Sequence, residues 1–249
     1  MTVRDVLEIL EKWLPAKNAL PGDNVGLLVG DSGAEVTKIL VCLDCTTENI
    51  LYAKSLGANL IVTHHPVIYA PLKNVTETSR AFKLIKNGIA CISCHTNLDM
   101  AKGGVNDCLC NALGIKNLTS LYEEDSEFFS NMGELENALS SKELAKHVKN
   151  VLGGNIRYSI GKNPIKKVAV CSGAGGSMLE AAILSGCDAL ITADVKHSLF
   201  ITAAEHNFTL IDAGHYHTEN LIVKPLAKFL FENTDLPVET SDKNAVFCL

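Results

Sequence analysis

No apolar run in this 249-residue chain approaches the ~20 residues of a transmembrane helix, so a helical membrane span is excluded. A cleaved secretory leader is not expected either, because charge begins at Arg4 and Asp5. Basic residues are scattered: 22 Lys and Arg stand against 28 Asp and Glu, for a net charge of -6, which argues against a basic face for nucleic acid. Secretion signals are lacking while cysteines number nine, an odd count that reads as reduced thiols in the cytoplasm, not as a disulfide framework. What is present in quantity is apolar surface. A hydrophobic content of 47% supplies a substantial core, and the length suits one large domain or two small ones.

The pattern alternates strand and helix. Thr2-Val3-Arg4-Asp5 resembles a capped helix start, followed by Val3, Leu7, Leu10 and Leu14 at helical spacing. Pro21-Gly22-Asp23-Asn24 is turn chemistry. Strands are predicted over Val25–Val29, Lys38–Leu43, Ala58–Val62 and Ile89–Ser93. Helices are predicted over Glu48–Leu56, Ser79–Lys86 and Val105–Leu113. After Leu121 the composition turns polar, and Glu123-Glu124-Asp125 reads as a solvated boundary. Further on, helices are predicted over Ser141–Leu152, Met178–Leu184, Leu199–His206 and Thr218–Phe231, the last kinked or disturbed by Pro225. Strands are predicted over Ile156–Ile160, Lys167–Cys171, Asp188–Thr192 and Phe208–Asp212. This is an α/β chain with mostly parallel sheets flanked by helices. A first lobe is expected over 1–121, completed by the C-terminal helix 218–232, and a second over 122–249.

The two halves share this order, and some residues match. Lys38-Ile39-Leu40-Val41-Cys42 aligns with Lys167-Val168-Ala169-Val170-Cys171 at an offset of 129 (167 − 38), which carries Gly57 onto Gly186 and Thr63 onto Thr192. A second offset of 120 carries His95 onto His215 (215 − 95) and Asp99 onto Glu219 (219 − 99). Two related lobes are expected to present their strand-end loops to a shared cleft, a usual place for a site.

Thr63-His64-His65-Pro66 sits at such a strand end. Within a strand, adjacent imidazoles point to opposite faces; past it, both can turn one way. His215 and Glu219, four apart, share one face of a helical turn. His64, His65, Asp99, His215 and Glu219 together offer three neutral nitrogens and two carboxylates. That exceeds the three protein ligands usual for a catalytic zinc and suits two divalent ions ~3.5–4 Å apart. Each histidine taken singly also reads as a satisfied loop side chain. Cys91-Ile92-Ser93-Cys94-His95 matches the c-type haem string formally, but its first cysteine lies in a predicted buried strand, so neither haem nor a Cys91–Cys94 disulfide is expected. Ser172-Gly173-Ala174-Gly175-Gly176-Ser177 stands where a phosphate loop would. It lacks the third glycine of a dinucleotide fingerprint and the Walker lysine, so it reads first as a tight turn. Asp44 reads as a support for the site or as a simple cap.

Gly-Asp-Asn-Val-Gly-Leu at 22–27, Leu-Asp-Cys-Thr at 43–46, Thr-His-His-Pro at 63–66, His-Thr-Asn-Leu-Asp at 95–99 and Ala-Gly-His-Tyr-His-Thr-Glu at 213–219 resemble the GTP cyclohydrolase 1 type 2 homologues, the NIF-three-like family. The resemblance spans nearly the whole chain, with Gly22 where the family usually has tryptophan and without the long insertion of some relatives. It implies a two-lobed α/β fold, a dinuclear metal site with His64, His65, Asp99, His215 and Glu219 as ligands, and a ring-like homohexamer. It also implies conversion of GTP to dihydroneopterin triphosphate, a small-molecule nucleotide substrate. His95 and His217, outside the family's ligand pattern, are placed as near-site proton carriers. The reading is a metal-dependent hydrolase. The alternatives are another two-metal hydrolase of phosphoesters or amides, or a non-catalytic metal-binding or regulatory scaffold. Nitrogen and oxygen ligands admit zinc, iron, manganese, cobalt or nickel.

Overall fold

A computed structural model describes residues 1–123, 126–162 and 164–247. In chain order the elements begin with α1 (Val3–Trp13), β1 (Gly26–Val29), β2 (Ile39–Cys42), α2 (Thr47–Leu56), β3 (Leu60–Thr63), α3 (Arg80–Lys86), β4 (Ala90–Ser93) and the single turn α4 (Thr96–Asp99). They continue with α5 (Val105–Ala112), β5 (Lys116–Glu123), β6 (Ser126–Leu139), α6 (Ser141–Leu152), β7 (Arg157–Tyr158), β8 (Ile165–Val170), α7 (Leu179–Leu184) and β9 (Ala189–Thr192). The chain closes with α8 (His197–Glu205), β10 (Thr209–Asp212), the short α9 (His215–Glu219), α10 (Val223–Asn233) and β11 (Val238–Ser241). Among the described residues, no helix is long and apolar enough to cross a membrane.

Local chemistry accounts for these boundaries. α1 opens on a capping box in which Thr2 and Asp5 satisfy each other's backbone amides, and α6 opens on the same device with Ser140 and Glu143. α2 ends where Gly57 takes a left-handed φ of 69°, which an L side chain resists. The predicted helix 218–231 is three pieces: α9, a 3-10 turn over Asn220–Ile222, then α10. Pro225 sits in the first turn of α10, where its missing N–H has no intrahelical partner to lose.

The chain divides into two compact units, one of Met1–Ala101 with Ile222–Ala245 and one built on Lys102–Leu221. The first holds a five-stranded sheet in the order β1-β4-β3-β2-β11, with β11, β2, β3 and β4 parallel and β1 antiparallel on the edge. β2, β3 and β4 are buried along their whole length, as parallel strands covered by helices must be. Leu40, Ile61, Ile50, Ala53 and Leu84 form the centre of its core. The second unit holds a six-stranded sheet, β5-β6-β8-β9-β10-β7, with β8, β9 and β10 parallel and the others antiparallel.

The division falls after Ala101, not near Leu121, because α5 and β5 belong to the second unit. Leu109, Cys110, Leu113 and Ile115 pack with Leu144, Val168 and Ile191, and β5 pairs with β6. The hairpin β5–β6 and strand β11 lack a sequence signal. β6 pairs antiparallel with β8 and carries Asn131, Gly133, Glu134 and Asn137, so it has no continuous apolar run. Of the acidic string at 123–125, Glu124 and Asp125 lie outside the described residues.

The repeated connectivity of the halves is visible in the register. Ile39 pairs with Leu60 and Val168 with Ala189, so 168 − 39 and 189 − 60 give the same offset of 129. Each βαβαβ run is preceded by an antiparallel edge strand on its third member, β1 on β4 and β7 on β10. Each is followed by a one-turn helix, α4 or α9. The tails are exchanged: α5–β5 follows the first run yet lies in the second unit, and α10–β11 follows the second run yet lies in the first.

Candidate metal centre

In the first unit, the histidine pair follows the central strand β3. Four hydrogen bonds pin the chain there. Thr63 Oγ1 donates to the His65 carbonyl at 2.7 Å and Ser93 Oγ to the His64 carbonyl at 2.9 Å. The His65 amide donates to Leu43 at 3.0 Å and the Cys94 amide to Thr63 at 2.8 Å. Held this way, both imidazoles turn to one side, with ring centroids 4.9 Å apart. His95, at the start of α4, brings a third ring 5.3 Å from His64 and 5.8 Å from His65. Each of the three offers a nitrogen, and these lie within 4.8 Å of one another. Asp99, closing α4, sets Oδ1 3.5 Å from His64 Nε2.

Every ring is oriented through Nδ1. His64 Nδ1 donates to the Cys94 carbonyl at 2.8 Å, His65 Nδ1 pairs with Asp44 Oδ1 at 2.9 Å, and His95 Nδ1 with Asp23 Oδ1 at 2.8 Å. Asp23 also accepts from the Thr96 amide at 3.1 Å and from Thr96 Oγ1 at 2.5 Å. Burial alone would raise its pKa, but the hydrogen bonds from His95 and Thr96 outweigh that and hold the carboxyl well below the usual range. Asp23 thus faces His95 as a fixed anion.

In the second unit, α9 carries His215 and Glu219 on one face, as their spacing requires, with Nε2 and Oε2 3.0 Å apart. His215 Nδ1 pairs with Asp194 Oδ2 at 2.7 Å. Asp194 sits at φ 52°, a left-handed conformation that aspartate tolerates better than most residues. Thr218 Oγ1 accepts from the Gly173 amide at 3.1 Å and donates to the His215 carbonyl at 2.8 Å. A Cβ added to Gly173 would lie 2.1 Å from Glu219 Oε1 and 3.2 Å from His215 Nε2. The glycine-rich loop is therefore a close approach to this pair. Three of its amides are spent on protein acceptors: Ser172 on Asn106, Gly173 on Thr218, Gly175 on Thr192.

Asp212, at the end of β10, is a support the sequence does not announce. It accepts from the Arg157 guanidinium, from the Val195 amide at 3.1 Å and from the Gly214 amide at 3.1 Å, tying down the loops that carry Asp194 and His215. Asp212→Ala strands the Val195 and Gly214 amides and is expected to cost about 1–3 kcal/mol, read by urea denaturation; a loss below a few tenths would remove this role. Asp23 and Asp194 lie in turn strings whose acids read equally as caps, and Asp212 is the last residue of a strand.

His217 is anchored through Nδ1 as well. Its Nδ1 donates to the Leu152 carbonyl at 3.1 Å and its ring packs on Gly153 and Gly154. Cys91 and Cys94 are buried thiols. Burial pushes the Cys94 thiol up to about 12, which disfavours the thiolate that nucleophilic chemistry needs. The contribution of Cys94 is its carbonyl, to His64. The structure thus gathers His64, His65, His95 and Asp99 in the first unit, and His215 with Glu219 in the second.

The family model for Duf34/NIF3 (NGG1p interacting factor 3) matches residues 1–245. A Clostridium perfringens protein named GTP cyclohydrolase 1 type 2 homolog is 34% identical over 248 residues, covering 96% of this chain and 95% of that protein. Among solved structures, a Staphylococcus aureus hypothetical protein superposes with a TM-score of 0.90 at 27% identity, over 100% of this chain and 99% of that one. Reduced HcgD from Methanocaldococcus jannaschii superposes with a TM-score of 0.85 at 29% identity, over 98% of both chains.

Proposed function

Since this chain belongs to the Duf34/NIF3 family, we propose that it binds two divalent metal ions through His64, His65 and Asp99 of the first unit and His215 and Glu219 of the second, and hydrolyses a small molecule, with GTP as the first substrate to test. The observation that carries the reading is the uniform anchoring of Nδ1. His64, His65 and His215 each place Nδ1 on an oxygen, which in a neutral ring leaves Nε2 with the lone pair. Metal-ligating histidines are held in this way almost without exception. Asp99 and Glu219 would offset much of the charge of two divalent ions.

Metal bound there would supply a Lewis acid for an oxygen attached to an electrophilic carbon or phosphorus. The chain's own residues would orient and exclude. Asp44 and Asp194 hold the rings of His65 and His215, and Gly173 leaves the space that the Glu219 carboxylate occupies. Elemental analysis of the purified protein, followed by a turnover panel of GTP, other nucleotides, phosphoesters and amides, tests the proposal. Bound metal with hydrolysis of one class supports it; bound metal without turnover of any class favours a binding scaffold. The ring-like homohexamer belongs to the same proposal, and light scattering on the purified protein reads it directly.

A further inference from the structure

The two βαβαβ runs differ between their second strand and second helix. In the second unit 4 residues, 193–196, join β9 to α8, while in the first unit 16 residues, 64–79, join β3 to α3. The duplicate shows that the short link suffices for this turn, so the fold does not demand the longer one. A loop of that length in a compact unit is usually a functional one. We propose that Tyr69, on this loop, is a substrate-positioning residue whose ring is the platform on which the base of a nucleotide stacks. The proposal rests on the nucleotide reading above and names the residue that recognises the ligand and the part of the ligand it recognises.

Residues 69–78 are exposed, and Tyr69 is 71% so, yet its ring is not loose. It stands edge-to-face with His95, centroids 6.3 Å apart and planes at 89°, a favoured arrangement for aromatic pairs. The residue before it is pinned, because Asn24 Nδ2 donates to the Ile68 carbonyl at 2.6 Å. Asn24 follows Asp23, whose carboxylate holds the ring of His95. Loop, turn and histidine are therefore fastened to one another within the first unit.

The large exposed aromatics among the described residues are Tyr69, Tyr158, Phe231 and Phe247, and Tyr69 is the one whose ring meets a histidine of the site. His95 in turn lies 5.3 Å from the ring of His64 and 5.8 Å from that of His65. A base laid on the open face of Tyr69 thus comes to rest beside these imidazoles. Tyrosine suits the task, since two side-chain torsions cost little to order and its π-face accepts any base. An aliphatic side chain at the same place would shield the site equally well but would not stack.

The test measures binding of GMP, AMP, CMP and UMP to the full-length protein by calorimetry. Ribose 5-phosphate, which keeps sugar and phosphate and has no base, is the reference ligand. At least one nucleotide is expected to bind more tightly than the reference. Tyr69→Leu removes the ring and should weaken that nucleotide about 5–150-fold, the range for losing one base–aromatic stack, with ribose 5-phosphate unaffected. Tyr69→Phe should retain the native affinity. Base protons of the bound nucleotide should shift upfield in the native protein and in Tyr69→Phe, the ring-current mark of stacking, and not in Tyr69→Leu. Should Tyr69→Leu fail to fold by circular dichroism, the ring-current reading on the native protein decides. Equal affinity for all four nucleotides and ribose 5-phosphate, no upfield shift, or native nucleotide affinity in Tyr69→Leu overturns the proposal. So does a Tyr69→Leu protein that changes its size by light scattering while keeping its preference for a base, which would assign the ring to a contact between copies. Metal bound without any preference for a base overturns this inference and leaves the metal reading intact. A preference for a base in a protein that holds no metal supports it and sinks the metal reading.

Discussion

Glu219→Gln is expected to keep the fold and to lose at least one metal ion per chain. The carboxylate is 4% exposed, lies 3.0 Å from His215 Nε2, and is carried on a helical turn that Thr218 fastens to the Gly173 loop. The amide preserves shape and can still pack under Gly173, but it gives up the negative charge that two divalent ions would require and is a poor bridge between them. Glu205→Gln is the control: it ends α8, is exposed, and should change nothing. Elemental analysis of both variants, each prepared in parallel with the native protein, reads the outcome. Full metal content in Glu219→Gln would rule out an essential bridging role for that carboxylate.

Gly173→Ala should be the more damaging change although it adds one carbon. Two costs combine. The backbone there is left-handed, φ 59°, where a Cβ costs roughly 1–2 kcal/mol. The new methyl would also fall 2.1 Å from Glu219 Oε1 and 3.2 Å from His215 Nε2, so the buried carboxylate must shift. Gly57→Ala separates the two terms. Its φ is 69°, but nothing lies within 4 Å of the added carbon, so it should show the backbone cost alone. The expected result by chemical denaturation is a loss of roughly 1–2 kcal/mol in Gly57→Ala and a larger one in Gly173→Ala, with reduced metal content only in Gly173→Ala. Equal metal content in the two would mean that the glycine serves the turn and not the site.

The elements most legible in the sequence were those whose chemistry is local. The capping box at Thr2, the helix end at Gly57 and the apolar runs of β2, β3 and β4 each rest on neighbouring residues, and the chain states them directly. The same holds for His215 and Glu219, because i and i+4 meet on any helical turn. The duplicate register could be read too, since an offset of 129 survives in the residues as well as in the strand pairing.

What tertiary structure decided is what depends on partners distant in sequence. β6 is a strand because β8 and β5 pair with it, despite its polar composition, and α5 with β5 join the second unit because their apolar face packs there. The sequence aligns His95 with His215, four residues before Asp99, and the family resemblance places it as a near-site proton carrier. It stands beside His64 and His65 because parallel strands β3 and β4 end in register, Thr63 opposite Ser93. Asp23, separated from His95 by 72 residues, reads as a turn aspartate until the fold sets its carboxylate against the ring. Periodicity tells which faces are buried, but a carboxylate's partner is a matter of tertiary distance, and an isolated aspartate in a turn carries no mark of what it will hold.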